Sequence, residues 1–259
     1  MLPAIFVSHG SPMLALEDAP ARDFLERLPD LLPEQPKVIL MVSAHWERLR
    51  PTVSAPAWNE TIHDFSGFPP KLYQLTYPAP PSGDLAGRVA ERLTAAGLPA
   101  DIDKRRGLDH GAWAPLMVAW PHADIPVVQL SVQTHLGPAH HYRLGQILAP
   151  LREEGVLIVG SGSFTHDLAS FRTSGGRIDA PEPYWVLAFA EWMAAALLER
   201  RLDDLLNYRV RAPEAAHNHP TEEHLLPLYV ALGAGQVGVK HLHQSTTYGI
   251  LRMDAFAFS

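Results

Sequence analysis

The sequence predicts an α/β fold, a single domain in which helices flank a central mixed, largely parallel sheet. Three continuous apolar runs lack polar alternation, and each ends in small residues and a histidine. Runs of this kind are typical of strands that are covered on both faces of a parallel or mixed sheet. Ligands bind beyond the carboxyl ends of such strands. The histidines that end the runs, His9, His45 and His166, are therefore candidates for one site.

The composition limits the classes of function. With 259 residues, 47% of them hydrophobic and 19% charged, the chain can bury a sizeable core, and no stretch marks a linker. We expect one domain over residues 1–259. The net charge of -7, without a basic cluster, argues against nucleic acid as a partner. No apolar stretch reaches transmembrane length and the N-terminus lacks a signal-peptide pattern, so we expect a cytoplasmic protein with no membrane partner.

The absence of cysteine limits the chemistry further. It excludes disulfides, thiolate catalysis and thiolate metal sites. Any bound metal must therefore be held by histidine, aspartate or glutamate. The 14 histidines supply enough ligands for such a site.

The first half of the chain shows a strand, a helix and a strand in succession. The first strand ends in a turn with glycine and proline, which leaves His9 at its end. Apolar residues at helical spacing predict a helix over residues 18–32, which Pro33 closes before the strand at residue 38. The same spacing predicts a second helix over residues 84–96, which Gly97 stops.

The segment 51–81 separates the second strand from the second helix. It is rich in proline, glycine and aromatic residues and has no clear period. A loop of this length is either the wall or lid of a site or a plain surface loop. The aromatic side chains that would form the wall are His63, Phe65, Phe68 and Tyr73.

In the middle of the chain, His110 stands where a turn enters a helix. From position alone, a histidine there is more often a capping or packing residue than a catalyst. An apolar run predicts a buried strand over residues 125–132, and a further helix that covers the sheet follows over residues 138–154. We expect His140 and His141 on that helix to face solvent.

The last third contains the third histidine-bearing strand and two helices. The glycines and serines after residue 159 match neither a nucleophile elbow nor a P-loop. Helical spacing predicts a long helix over residues 183–206. Thr221 is an N-cap candidate that would place His224 in the first turn of the last helix. Residues 246–258 are expected to close the fold as a strand or strand pair.

Histidines at the ends of separate strands and at a helix start can converge on a metal, because the fold fixes their directions. The alternative is a set of unrelated turn histidines. Nitrogen and oxygen ligands would suit Fe(II), Zn(II) or Mn(II). A facial set of three would leave positions open for substrate and dioxygen.

Six motifs then occur in order from the first strand to the last helix. Together they resemble the motif set of the class III extradiol ring-cleavage dioxygenases, in particular the 4,5-DOPA extradiol dioxygenase-like branch. The motifs are Ser8-His9-Gly10-Ser11-Pro12, Ser43-Ala44-His45-Trp46, Thr61-Ile62-His63-Asp64-Phe65, Asp109-His110-Gly111, Thr165-His166-Asp167-Leu168 and Pro220-Thr221-Glu222-Glu223-His224.

The resemblance implies roles for five histidines. By position, His9, His45 and His224 match the metal ligands of that branch. His166 matches its acid-base histidine, and His110 matches a second pocket position.

The third metal ligand is where this sequence differs from the wider class. There the ligand is typically glutamate, so Glu222 or Glu223 could replace His224 in closing the ligand set.

The resemblance also implies a reaction. We expect a metal-dependent dioxygenase that uses O2 to open a small catechol, DOPA-like or another dihydroxyphenyl compound. Fe(II) would be needed for activity, and Zn(II) could occupy the site. Because fold does not fix function, a non-catalytic metal-binding or interaction protein is the alternative. A zinc hydrolase is less favoured, since no carboxylate is placed as a water-activating base. The sequence leaves the oligomeric state open.

Overall fold

The computed structural model describes residues 1–173, 176–235 and 237–259. These residues form ten strands and ten α-helices. The strands are β1 (Ala4–Ser8), β2 (Val38–Glu47), β3 (Thr52–Ser54), β4 (Asp101–Asp103), β5 (Val127–Val132), β6 (Val156–Gly162), β7 (Val239–His243), β8 (Thr246–Thr247), β9 (Leu251–Arg252) and β10 (Ala255–Phe258). The helices are α1 (Pro20–Arg27), α2 (Gly83–Ala95), α3 (His110–Ala119), α4 (Gly137–Leu148), α5 (Leu168–Thr173), α6 (Tyr184–Leu198), α7 (Leu202–Leu206), α8 (Tyr208–Arg211), α9 (Ala215–Asn218) and α10 (Leu226–Ala234).

A mixed sheet organises the described part of the chain. Its eight strands lie in the order β4-β3-β5-β2-β6-β1-β10-β7. The four central strands, β5, β2, β6 and β1, run parallel to one another. Antiparallel pairing appears toward both edges, where β3 joins β5 and β10 joins β1 and β7. The predicted α/β fold with a central mixed, largely parallel sheet is confirmed.

Both faces of the central strands are buried, which explains their unbroken apolar sequences. Successive residues of β2 point to opposite faces. Leu40 and Val42 belong to a core formed with α2, α4, α6 and α10. Ile39 and Met41 belong to a second core, formed with α1 and α3. Within the described ranges, every helix is too short or too polar to span a lipid bilayer.

Three predicted helices are interrupted. The helix predicted over residues 18–32 is α1 followed by a 3-10 helix at Leu28–Leu31. The helix predicted over residues 138–154 becomes a 3-10 helix at Ala149–Glu154, because a proline in the second position of that stretch cannot continue the α-helical hydrogen bonding. The helix predicted over residues 183–206 breaks between α6 and α7 at Arg200, which has a left-handed φ of 57°.

The strands that the apolar pattern missed lie toward the edges of the sheet. β3 and β4 have three residues each, and those of β4 are largely exposed. β7 is only partly buried. β4 and β7 are the edge strands and contact the core on fewer sides, so their sequences lack the long apolar runs that identify the central strands. β3 is buried but has only three residues.

The prediction that His141 faces solvent is wrong. The side chain is 0% exposed, whereas His140 beside it is half-buried. His141 Nδ1 donates to the Gly137 carbonyl at 2.7 Å, and Nε2 accepts from the Gln133 amide at 3.1 Å. The helix turns this face toward the end of β5, where a free backbone amide needs an acceptor. Burial lowers the pKa of His141 to about 3.

The buried, neutral His141 gives a prediction for acid stability. As the pH falls from about 6.5 to about 3, the unfolded chain protonates this histidine while the folded protein does not. The free energy of unfolding should therefore fall with pH over that window. In His141→Gln the slope should be smaller by up to ~1.4 kcal/mol per pH unit. Urea unfolding of metal-free protein at several pH values measures the slope of the free energy of unfolding against pH. Identical slopes in the wild type and in His141→Gln would contradict a neutral buried His141.

Candidate active site and metal centre

The carboxyl ends of three parallel central strands deliver histidines to one edge of the sheet. His9 directly follows β1, and its amide donates to the Gly162 carbonyl at 2.9 Å, which extends the pairing with β6. His45 lies near the end of β2, and His166 lies four residues beyond β6. His110 is the first residue of α3.

His224 reaches the same edge from the turn before α10. The prediction that it lies in a helical turn capped by Thr221 is wrong, because α10 begins at Leu226 and the Thr221 hydroxyl donates to Glu223 Oε1 instead. The His224 carbonyl accepts from the Ser163 amide at 2.9 Å, which anchors the turn to the end of β6. At Gly162 any Cβ would collide with this carbonyl, so the close approach requires glycine.

Three imidazole nitrogens meet at the centre of this edge. His9 Nε2 lies 3.0 Å from His45 Nε2. His45 Nε2 in turn lies 3.2 Å from His224 Nε2. His9 and His224 are buried, and His45 is partly exposed.

Hydrogen bonds on the opposite ring nitrogens assign the tautomers of two of these histidines. Ser161 Oγ donates to the Gly111 carbonyl, so it accepts from His9 Nδ1 at 3.0 Å. His224 Nδ1 donates to Glu223 Oε1 at 3.0 Å. The protons therefore lie on Nδ1 of both rings, and the Nε2 lone pairs face the centre.

This arrangement fits a divalent metal ion. Nitrogen ligands bind Zn(II) at roughly 2.0–2.1 Å, and two neighbouring ligands at a right angle would then be about 3.0 Å apart. The distances between His45 Nε2 and the other two Nε2 atoms are 3.0 and 3.2 Å. Inward-facing lone pairs that carry no proton repel one another unless a cation lies between them.

Two groups of three potential metal ligands make up this centre and its surroundings. The potential ligand atoms of His9, His45 and His110 lie within 4.8 Å of one another, and so do those of His166, Glu223 and His224. The contact between His45 and His224 joins the two groups.

Glu222 points away from the histidines. It accepts a hydrogen bond from the Tyr208 hydroxyl at 2.8 Å. Of the two glutamates that the sequence offers as third ligands, only Glu223 therefore lies beside His224 in this arrangement.

Burial keeps the central histidines neutral. The pKa values of His9 and His224 lie well below the usual value. Burial is the main cause, and the neighbouring imidazoles are the second. The same causes lower the pKa of His45 to about 4. Neutral imidazoles are the form that binds metal, so the three rings are ready for a cation at neutral pH.

Asp64 holds His110 in place. Its Oδ1 accepts from His110 Nδ1 at 2.9 Å and from the His110 amide at 3.0 Å. Its Oδ2 lies 3.5 Å from His45 Nδ1. Burial acts to raise the pKa of Asp64, but the hydrogen bonds from His110 outweigh it and lower the pKa to about 2. An ionised carboxylate therefore orients His110.

His166 packs against the cluster without joining the three nitrogens. Its ring stacks on that of His224, with centroids 3.5 Å apart and planes 12° apart. Burial lowers the pKa of His166 to about 4, although Glu223 and Asp167 act to raise it. The imidazole is thus neutral at physiological pH and can accept a proton.

A cavity of about 230 Å³ lies over the histidines. Phe65 and Phe68 from the segment 51–81 form part of its wall, while His63 and Tyr73 pack behind Phe65 with centroids 5.7 and 5.2 Å from its ring. Five titratable side chains line the cavity, and the rest of the lining is largely apolar. Its lining comprises His45, Asp64, His110, His166 and His224, with Gly10, Ser11, Pro12, Phe65, Phe68, Leu168, Phe171 and Leu251.

Two residues that orient the histidines were not predicted from the sequence. Asp64 lies in the third of the six motifs, directly after His63. Ser161 ends the third apolar run, where a small polar residue beside a strand end is a signal for a hydrogen-bond partner. Both of these partners become evident only when distant segments meet.

Comparisons with known proteins agree with the geometry. A family model described as the catalytic LigB subunit of aromatic ring-opening dioxygenase matches residues 3–255. Relatives named 4,5-DOPA dioxygenase extradiol include one from Beta vulgaris, 45% identical over 98% of this chain and 95% of the relative. Another, from Escherichia coli (strain K12), is 41% identical over 90% and 85%. A crystal structure of an uncharacterized Escherichia coli K12 protein covers 100% of both chains at a TM-score of 0.81 and 33% identity.

The family match covers nearly the whole chain. It confirms the resemblance drawn from the six motifs and the predicted class of enzyme, an extradiol ring-cleavage dioxygenase. A non-catalytic role on the same fold is not favoured. The chain belongs to the LigB family of aromatic ring-opening dioxygenases.

Proposed function

We propose that the protein uses Fe(II) and O2 to open the ring of a small catechol, with a DOPA-like dihydroxyphenyl compound as the substrate. The family gives the reaction class, and the proposal concerns the metal, the substrate and the role of each residue. The observation that carries it is the convergence of three Nε2 atoms beside a small, largely apolar cavity.

His9, His45 and His224 would hold the metal. Each offers an inward-facing nitrogen, and imidazole suits both iron and zinc. When bound as Fe(II), the ion would supply Lewis acidity toward the catechol oxygens and electrons for dioxygen activation. Zn(II) binds such sites more tightly than Fe(II), so protein purified in air would carry zinc. Glu223 would keep the donor nitrogen of His224 directed inward through its bond to Nδ1.

His166 would accept a proton from a catechol hydroxyl and return it later in the reaction. It lines the cavity, and its lowered pKa leaves it neutral before the reaction begins. His110, which lies beside His9 and His45, would also contact the substrate. Because Asp64 binds its Nδ1, the Nε2 of His110 is free to contact a substrate oxygen.

The apolar wall would hold the aromatic ring. Phe65 and Phe68 offer faces and edges against which a flat ring packs, and Leu168 and Leu251 complete the surface. Burying the ring there excludes water and sets its two hydroxyls toward the histidines. Relatives named 4,5-DOPA dioxygenase extradiol support a dihydroxyphenyl amino acid as the substrate.

Oxygen uptake tests the proposal. Metal-free protein is loaded anaerobically with Fe(II) and mixed under reducing conditions with a panel of catechols that differ in side chain. We expect oxygen consumption together with a yellow semialdehyde product for DOPA-like members of the panel. Zn(II)-loaded protein is the matched control and should show neither signal. If Fe(II)-loaded protein gives no colour and no uptake with any catechol, the proposal is wrong.

A further inference from the structure

A buried polar network at the start of α3 has no part in the chemistry described so far. Its centre is the carboxylate of Asp109, which is 0% exposed. Oδ1 accepts from Ser43 Oγ at 2.6 Å and caps α3 by accepting from the Ala112 amide at 3.2 Å. Oδ2 accepts from Arg106 Nη2 at 2.6 Å and from Gln129 Nε2 at 2.8 Å.

Two partners of this carboxylate hold the backbone of His45. Arg106 Nη2 donates to the His45 carbonyl at 3.2 Å, in addition to its bond with Asp109. Ser43 Oγ accepts from the His45 amide at 3.2 Å while it donates to Asp109. The peptide groups on both sides of the His45 Cα are thus fixed by residues that the same carboxylate binds.

The first turn of α3 also packs directly against the proposed metal ligands. A Cβ at Gly111 would lie 2.6 Å from Ser43 Oγ, 3.0 Å from His45 Cδ2 and 3.2 Å from His9 Cε1. The Gly111 carbonyl accepts a hydrogen bond from the Ser161 hydroxyl, and this hydroxyl in turn accepts one from His9 Nδ1. The first turn of α3 therefore contacts His9 and His45 and carries His110.

A second buried ion pair, whose side chains bond to none of the clustered histidines, serves as the comparison. Arg252 and Asp254 are 3% and 0% exposed, with Nε and Oδ2 2.8 Å apart. Their other side-chain partners, Glu182 and His241, are outside the histidine cluster. The two carboxylates are both fully buried, and the two pairs differ in whether their side chains hold proposed metal ligands.

We propose that Asp109 and Arg106 are positioning residues, which fix the backbone of His45 and the first turn of α3 so that the imidazole nitrogens stay at metal-binding distances. The inference rests on the proposed function, because His9 and His45 are the proposed ligands. It assigns the pair a role in metal affinity beyond its contribution to folding.

Metal titration of two matched variants tests this role. In Asp109→Asn, the side-chain oxygen can still accept from Ser43 and Ala112, but the new amide cannot accept from Arg106 or Gln129. We expect the affinity for Co(II), measured by its visible absorption in competition with a chelator, to fall about 10–100-fold. Asp254→Asn should lower the melting temperature comparably and leave Co(II) affinity within about twofold, because the pair it breaks holds no ligand.

A second pair of variants keeps the test decisive if Asp109→Asn does not fold. Arg106 is 17% exposed, so its replacement is milder. Arg106→Ala should weaken Co(II) binding, and Arg106→Lys should restore part of the loss, since an ammonium can still bond to Asp109 or to the His45 carbonyl.

The outcomes separate this inference from the proposed function. Wild-type protein that binds no Co(II) would contradict both. Wild-type protein that binds Co(II), together with Asp109→Asn or Arg106→Ala that binds it equally tightly, would overturn the positioning role alone. The positioning role is also overturned if Asp254→Asn loses as much Co(II) affinity as Asp109→Asn, because general destabilisation would then explain the loss.

Discussion

Replacing His45 with alanine is expected to release the bound metal and to abolish ring opening. His45 Nε2 is the central one of the three nitrogens, 3.0 Å from that of His9 and 3.2 Å from that of His224. Its removal leaves two imidazoles that no longer share a neighbour. Loss of a partner outside the ligand set typically costs about 10–100-fold in metal affinity, and loss of a ligand should cost more.

Elemental analysis and oxygen uptake measure the two effects together. His141→Gln is the matched control, because it also replaces a buried, neutral histidine that lies outside the site. It should keep full metal content and ring-opening activity. The double variant His9→Ala/His45→Ala gives the strictest comparison. Full metal occupancy in that variant would show that these histidines are not the ligands.

The parts of the fold that sequence could predict are those that local composition determines. β1, β2 and β6 are buried on both faces, and their residues must be apolar whichever way they point. The edge strands β4 and β7 face solvent in part, so no such constraint marks them.

The candidate site was partly predictable for a related reason. A histidine at the end of a buried parallel strand must lie at the ligand-binding edge of the sheet, which holds for His9 and His45. The position of His224 in a turn rather than in a helix depends instead on its carbonyl bond to Ser163, in a different part of the chain. The periodicity of apolar residues contains no information about such a bond.

Sequence patterns could not predict which residues pair with these histidines and with Asp109. His9 meets Ser161 across 152 residues of chain, and His110 meets Asp64 across 46. Asp109 binds Ser43 across 66 residues. None of these spacings forms a motif, because each contact is created by the pairing of strands and the packing of α3 on the sheet.

Replacing His166 should separate proton transfer from metal binding. The ring of His166 stacks on that of His224 with centroids 3.5 Å apart, so its loss could also disturb a proposed ligand. His166→Phe keeps an aromatic ring in the stack but cannot transfer a proton. We expect both His166→Ala and His166→Phe to lose turnover by about 10²–10⁴-fold, the usual contribution of a positioned general acid-base.

The metal content of the two variants distinguishes the roles open to this residue. Both should bind Fe(II) as the wild type does, because the nitrogens of His9, His45 and His224 converge without a contribution from His166. If His166→Phe loses its metal, the residue is a ligand and the assignment is wrong. If it keeps both metal and wild-type turnover, the proton is transferred elsewhere. His110 then becomes the acid-base candidate, since it lines the same cavity and Asp64 already holds its Nδ1.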